Sequence, residues 1–195
     1  MRAIIHFSAF DQTGQDDFIV KELAIVNPDS RTLQSWIFKP PFDISELPLT
    51  IQLDNDYLSS HIFGLEWSEG DVAYNDMQRV LVAYTKNIDV LFTHGHRRQQ
   101  FLERLLGRTI VNLEDLHCPK SSHLLFPATH CAHPQHQFHT FRCALYEALC
   151  YSKYLTYHDL SQYVTPEPKS VYNPTPITPS PSVLHEDDEE ECHSV

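Results

Sequence analysis

Cysteine and histidine residues are concentrated in one stretch of the chain, and their types and spacing are typical of metal binding. Six of the 13 histidines lie between positions 117 and 139, and three of the five cysteines lie within or beside that stretch. In an extended segment Cys131 and His133 project to the same side. Cys143 opens what reads as the last helix, where the helix dipole favours a thiolate. Two thiolates, one imidazole and one carboxylate would complete a tetrahedral zinc site, whereas the alternative is a polar loop that is merely rich in histidine.

The candidate carboxylate is Glu22, which lies in the middle of the apolar stretch KELAIV. A charge is unusual at the centre of a strand, so this residue needs a reason to be there. It either contributes to such a site, or faces water, or caps another element.

The surrounding sequence predicts an α/β fold. Three β-prone stretches separated by short turns predict an antiparallel meander, at Ala3–Phe10, Phe18–Asn27 and Thr32–Lys39. After turn signals and short helical pieces over residues 43–70, apolar periodicity predicts helices and strands in alternation, at Asn75–Tyr84, Asp89–Thr93, Gln99–Leu106, Thr109–Leu113 and Phe141–Tyr157. This order predicts a mixed sheet with helices on its faces.

The composition divides the chain into a domain over residues 1–160 and a tail over residues 161–195. The tail is rich in Pro, Ser and Thr and then acidic over His185–Glu191. Such a segment cannot build a core, so we expect it to be extended and disordered. The acidic block either aids solubility or is a docking segment for a basic partner.

The charge of the chain disfavours strong non-specific binding to nucleic acid. The net charge is -12, and residues 165–195 contribute half of it, with seven carboxylates and one lysine. The best candidate for a local nucleic-acid-binding patch is Arg97 with Arg98, next to Arg104 and Arg108; the alternative is a solvated helix face.

The chain is expected to be intracellular, in the cytoplasm or nucleus, and not secreted. No run of about 18 apolar residues exists that could span a membrane. The apolar start of the chain is too short for a signal peptide and has no small-residue cleavage site. An odd number of cysteines also argues against a disulfide framework.

Four segments resemble the DnaQ-type exonucleases (the DEDDh branch) of the RNase H-like fold. They read IIHFSA, KELAIV, LFTHGHRRQQFL and RCALYEA, and the resemblance covers roughly residues 3–157. It implies an RNase H-like mixed sheet in which three antiparallel strands precede alternating helices and strands.

The resemblance also implies that the catalytic residues of that family are absent. The family holds two divalent metals with four carboxylates and uses a general-base histidine. The matching positions here are His6, Ser8, the vicinity of Gln99, Arg142 for the histidine, and Glu147 for the last aspartate. One carboxylate cannot hold two Mg²⁺ ions, so no catalytic residue is assigned.

The Cys/His stretch is similar to that of the Maelstrom domain, a degenerate member of the same fold with a Glu-Cys-His-Cys zinc constellation. The resemblance implies a structural zinc ion bound by Glu22, Cys131, His133 and Cys143, with His136 as the alternative histidine. The chain also resembles a looser group of uncharacterised transposon- and virus-associated proteins. The shared segments are KELAI, FKPP, GLEWSEGD, and the DL and CP of Asp115–Pro119.

These resemblances imply a catalytically degenerate module that associates with RNA or with a protein partner. One alternative is a metal-independent single-strand RNase of the Maelstrom type, in which His133, His136 and His139 act as acid and base. The other is a scaffold that recruits a partner through its acidic tail.

Overall fold

The computed structural model of the chain describes residues 1–11, 18–124 and 143–158. Within them the strands are Arg2–Asp11 (β1), Phe18–Asn27 (β2), Thr32–Lys39 (β3), Val72–Ala73 (β4), Val90–Thr93 (β5) and Val111–Asn112 (β6). The α-helices are Leu49–Tyr57 (α1), Met77–Thr85 (α2), His96–Leu106 (α3) and Ala144–Tyr157 (α4). Short 3₁₀ turns lie at Ile44–Glu46, Tyr74–Asp76, Leu113–Leu116 and Ser121–His123, and α1 continues into a π-helical turn at Leu58–Phe63.

The strands form one mixed sheet in the order β4-β3-β2-β1-β5-β6. The first three strands pair antiparallel, as the meander predicts, while β5 runs parallel to β1 and β6 runs parallel to β5. The predicted α/β class and mixed sheet are therefore confirmed.

Helices cover both faces of the central strand β1, which explains why its sequence is almost continuously apolar. Ile5 packs in a cluster with Leu81 of α2 and Leu102 of α3. Its neighbour Ile4 projects to the opposite side and packs in a cluster with Ala148 of α4. Side chains on this second face, including that of His6, therefore meet the last helix.

A β-bulge interrupts the pairing of β1 with β2. Ser8 is opposite Glu22, but the next residue, Ala9, is opposite Val20. Lys21 is therefore the extra residue of the bulge, a device that re-aims a side chain.

The observed boundaries differ from the predicted ones where a helix or strand begins or ends with polar residues. The helix predicted to begin at Gln99 in fact begins at His96. The prediction missed the first turn because that turn is polar and lacks the apolar periodicity. The strand predicted over Thr109–Leu113 contains only Val111–Asn112. It ends there because the Asn112 side chain accepts a hydrogen bond from the backbone N–H of Glu114 and starts a 3₁₀ turn.

Residues 43–70 form a layer that packs on side chains of β1, β2 and β3. The inner face of this layer, which includes Phe63 and Leu65, packs on Phe10 of β1 and Ile37 of β3. Among the described residues, no helix has the length and apolarity needed to cross a membrane.

Candidate functional site

Two of the predicted zinc ligands, Glu22 and Cys143, meet at the start of α4. Glu22 lies on β2 and is only 1% exposed, and Cys143 is the residue that immediately precedes α4. The other predicted ligands, Cys131, His133 and the alternative His136, lie outside the described residues, as does Arg142. The structure thus brings together residues 121 positions apart in sequence.

The Glu22 carboxylate takes the place of a helix cap. Its Oε2 accepts a hydrogen bond from the backbone N–H of Ala144 at 2.8 Å, and its Oε1 accepts one from the Cys143 thiol at 3.3 Å. Cys143 itself makes no capping bond with its side chain. The positive end of the helix dipole favours a negative carboxylate at this point. Because Glu22 is buried, the alternative that its side chain faces water is excluded. Its two hydrogen bonds connect the start of α4 to β2.

The pair also suits zinc in its chemistry and spacing. Zinc binds carboxylate oxygens and thiolate sulfurs, and bonds of about 2.1 and 2.3 Å at a tetrahedral angle place the two atoms about 3.6 Å apart. The observed separation of Glu22 Oε1 and Cys143 Sγ is 3.3 Å. In the ranges that the structure describes, no group of three or more His, Cys, Asp or Glu residues could hold a metal ion. A complete site would therefore need ligands from outside those ranges.

A second buried contact joins the positions where the exonuclease resemblance places the first and last catalytic carboxylates. His6 of β1 and Glu147 of α4 are hydrogen-bonded through Nε2 and Oε2 at 2.6 Å. The other carboxylate oxygen, Oε1, accepts a hydrogen bond from the Ser121 hydroxyl at 2.8 Å. Both oxygens of this carboxylate are therefore engaged by protein groups.

The protonation states of this pair follow from burial and from its neighbours. Burial and the nearby charge of Arg98 lower the pKa of His6, and the contact with Glu147 offsets only part of that effect. Burial alone would raise the pKa of Glu147, but hydrogen bonds from His6 and Ser121 and the charge of Arg98 outweigh it and lower the pKa. At neutral pH a neutral His6 donates its Nε2–H to an ionised Glu147.

Aromatic and polar groups extend this contact into what we call the His6 cluster: His6, His94, Ser121, Glu147 and Tyr151. The His94 ring stacks on Tyr151, with ring centroids 4.7 Å apart and planes 11° from parallel. The Tyr151 hydroxyl accepts a hydrogen bond from the backbone N–H of Ser121. Burial, the largest effect, raises the pKa of Tyr151 to about 12 and lowers the pKa of His94.

Sequence reasoning missed His94, Ser121 and Tyr151. His94 directly follows β5, and the carboxyl ends of parallel strands are where ligands bind in open α/β sheets, so its position was a usable signal. Ser121 and Tyr151 gave no signal, because a 3₁₀ turn and a buried helix face positioned them.

The two arginines of the predicted basic patch lie against aromatic rings. The Arg97 guanidinium lies 4.8 Å from the Phe18 ring centroid, and that of Arg98 lies 5.6 Å from the Phe7 centroid. The Nε–H of Arg98 also donates a hydrogen bond to the Phe7 carbonyl. Arg98 thus supports β1, and a role of the pair in nucleic-acid binding stays a prediction.

The remaining positions of the exonuclease pattern serve the fold. Gln99 donates a hydrogen bond from Nε2 to the Ile110 carbonyl, which holds α3 against the start of β6. Ser8 is buried in the sheet opposite Glu22.

Lys21 connects three of the segments that the sequence singles out. Its side chain is fully buried, and its ammonium donates hydrogen bonds to the carbonyls of Trp67, at 2.8 Å, and of Glu69. A third, longer contact of 3.4 Å reaches the Phe38 carbonyl. These partners lie in the GLEWSEGD and FKPP segments. Burial lowers the pKa of Lys21 to about 8, although the charges of Glu69 and Glu66 oppose the shift.

Comparison with protein-family models, with curated proteins and with solved structures finds no match to this chain.

Proposed function

We propose that this chain is a catalytically degenerate relative of the RNase H-like exonucleases, similar to the Maelstrom domain, that acts as a nucleic-acid-associated or protein-interaction module. Its mixed sheet, with three antiparallel strands followed by alternating helices and strands, is the arrangement that the resemblance implies. That arrangement supports the proposed relationship, and the function itself rests on the two contacts made by α4.

The observation that carries the proposal is the hydrogen bond between His6 and Glu147. These residues are 141 positions apart, yet they meet where the resemblance puts two catalytic carboxylates. The first position holds a neutral imidazole, and the second holds a carboxylate whose oxygens bind His6 and Ser121. Two-metal catalysis of phosphoryl transfer requires several carboxylates around both ions. Protein contacts have taken over the positions where such ligands would stand.

We further propose that a structural zinc ion is bound by Glu22, Cys131, His133 and Cys143, with His136 as the alternative to His133. The buried Glu22–Cys143 pair supports this assignment, since a carboxylate oxygen and a sulfur at 3.3 Å suit two corners of a zinc tetrahedron. Such an ion would tie α4 and the preceding segment to β2. Its role would be stability, because a structural zinc site contributes its binding energy to folding.

A nuclease assay tests the loss of catalysis. End-labelled single-stranded RNA and DNA are incubated with the full chain in Mg²⁺, in Mn²⁺ and in EDTA. We expect all substrates to stay intact under the three conditions. Mg²⁺-dependent cleavage that is lost in Glu147→Gln would contradict the proposal, because it would assign a catalytic role to the surviving carboxylate.

The two alternative functions give different outcomes in related assays. Cleavage that persists in EDTA and is lost in His133→Ala would favour a metal-independent RNase. A partner interaction that disappears when residues 161–195 are removed, while folding is intact, would favour a scaffold acting through the tail.

A further inference from the structure

Helix α1 presents an apolar stripe to solvent. Leu49, Leu53 and Tyr57 follow one another at intervals of four residues, and they are 68%, 62% and 57% exposed. Residues four apart are neighbours on a helix surface, so the three side chains form one continuous strip. His61 in the π-helical turn extends the strip by stacking on the Tyr57 ring, with centroids 4.6 Å apart.

This stripe is not needed to hold the helix on the domain. The inner face of the same layer packs on the sheet through Ile51 and Leu58, which belong with Phe10 and Ile19 to a separate apolar cluster. The α1 helix is therefore apolar on two sides, and one side is already used.

Negative charge surrounds the stripe. Successive helix residues are about 100° apart, which places Asp54 on one side of the stripe and Asp56 on the other. Residues 40–78, which include the whole layer, carry eight carboxylates and no lysine or arginine. A ligand for this face must offer apolar side chains and positive charge together.

We propose that the α1 stripe is a docking surface for a basic amphipathic helix of a protein partner. Leucines of the partner would cover Leu49 and Leu53, and its Lys or Arg side chains would pair with Asp54 and Asp56. The same charges repel nucleic acid and anionic membranes. The tail of this chain is an unsuitable occupant because residues 165–195 carry seven carboxylates and one lysine.

This inference deepens the proposed function by naming the partner class, and it rests on the module role proposed above. It does not depend on zinc or on the His6 cluster, which packs against α4 and shares no residue with the apolar cluster beneath α1. Failure of one proposal can therefore be distinguished from failure of the other.

The test uses two synthetic peptides about 18 residues long, or roughly five helical turns, with the same apolar face. One carries Lys on its polar face and the other carries Glu at the same positions. Their binding to the full chain is measured by fluorescence anisotropy, and the binding site is mapped by amide chemical shifts. We expect the Lys peptide to bind and to shift the amides of α1, and the Glu peptide not to bind.

Matched variants of the protein locate the interaction. Leu53→Ser removes an apolar side chain that the peptide would bury, so it should weaken binding of the Lys peptide about tenfold or more. The control is Leu33→Ser, which removes a leucine that is 51% exposed on β3, and it should leave the affinity unchanged.

Four results would overturn the proposal. Equal weakening by both variants, or shifts confined to residues 186–191, would mean that the peptide binds elsewhere by charge alone. Equal binding of the Glu peptide would remove the argument from charge. Concentration-dependent self-association that is lost in Leu53→Ser, seen by sedimentation, would make a second copy of the chain the occupant.

Discussion

The buried Lys21 ammonium gives a distinctive prediction about the pH dependence of stability. Burial lowers its pKa from an ordinary value of 10.5 to about 8 in the folded chain. Between these two values the unfolded chain binds a proton that the folded chain has released. The free energy of unfolding therefore rises with pH across this window, and the Lys21 contribution is flat well below pH 8.

The size of the effect follows from the same two pKa values. Linkage gives a gain of about 2.5 kcal/mol in the Lys21 contribution between about pH 7 and pH 10. Cysteines and tyrosines also titrate in this range, but they are present in a Lys21→Met variant as well. The relevant quantity is the stability of the wild type minus that of the variant, in which the shared titrations cancel.

Urea unfolding of both proteins at several pH values measures this difference. We expect the free energy of unfolding of the wild type to rise relative to that of Lys21→Met as the pH rises. A matched Lys86→Met variant, altered at an exposed lysine, should show no such trend. A difference that stays constant, or that falls with pH, would refute the reasoning. It would mean that the carbonyls of Trp67 and Glu69 stabilise the ammonium more than burial penalises it.

Two further predictions concern backbone fit and acid stability. A Cβ at Gly70 would lie 2.5 Å from the Lys39 nitrogen, whereas one at Gly107 meets nothing within 4 Å, and both residues have positive φ. Gly70→Ala should therefore lower the free energy of unfolding by more than about 2 kcal/mol and Gly107→Ala by about 1 kcal/mol, with equal losses arguing against the tight contact. The depressed pKa of Glu147 means that its stabilising contribution is present above its ordinary pKa of 4.5 and is lost as the pH falls through the lower pKa of the folded chain. Acid titration followed by circular dichroism should show a smaller loss of stability in Glu147→Gln than in the wild type, and an unchanged acid limb would contradict the assigned hydrogen bonds.

The sequence predicted the first three strands and the last helix well because the signals there are local. Alternating or continuous apolar residues define β1, β2 and β3, and Gly107 ends α3 with a φ of 63°. The charge of Glu22 in an apolar strand also marked a residue with a special role, and the structure places it against α4.

Other features depend on contacts between distant segments and gave little local signal. Helix α1 was predicted only as short helical pieces, because its apolar residues lie on both its inner and outer faces and blur the amphipathic pattern. The burial of Lys21 requires carbonyls 17, 46 and 48 residues away, which no local pattern reveals. Cys131, His133 and His136 lie outside the described residues, so their part in a site stays a prediction.

Metal content is the most direct test of the central proposal, a structural zinc site at the start of α4. Elemental analysis of the purified full chain should give about one zinc per molecule for the wild type. Cys143→Ser should lose the metal and unfold at a lower temperature. A matched Cys118→Ser variant, altered at a buried thiol that donates its hydrogen bond to the Pro119 carbonyl, should keep the metal. A stable wild type without zinc, or zinc retained in Cys143→Ser, would contradict the proposal.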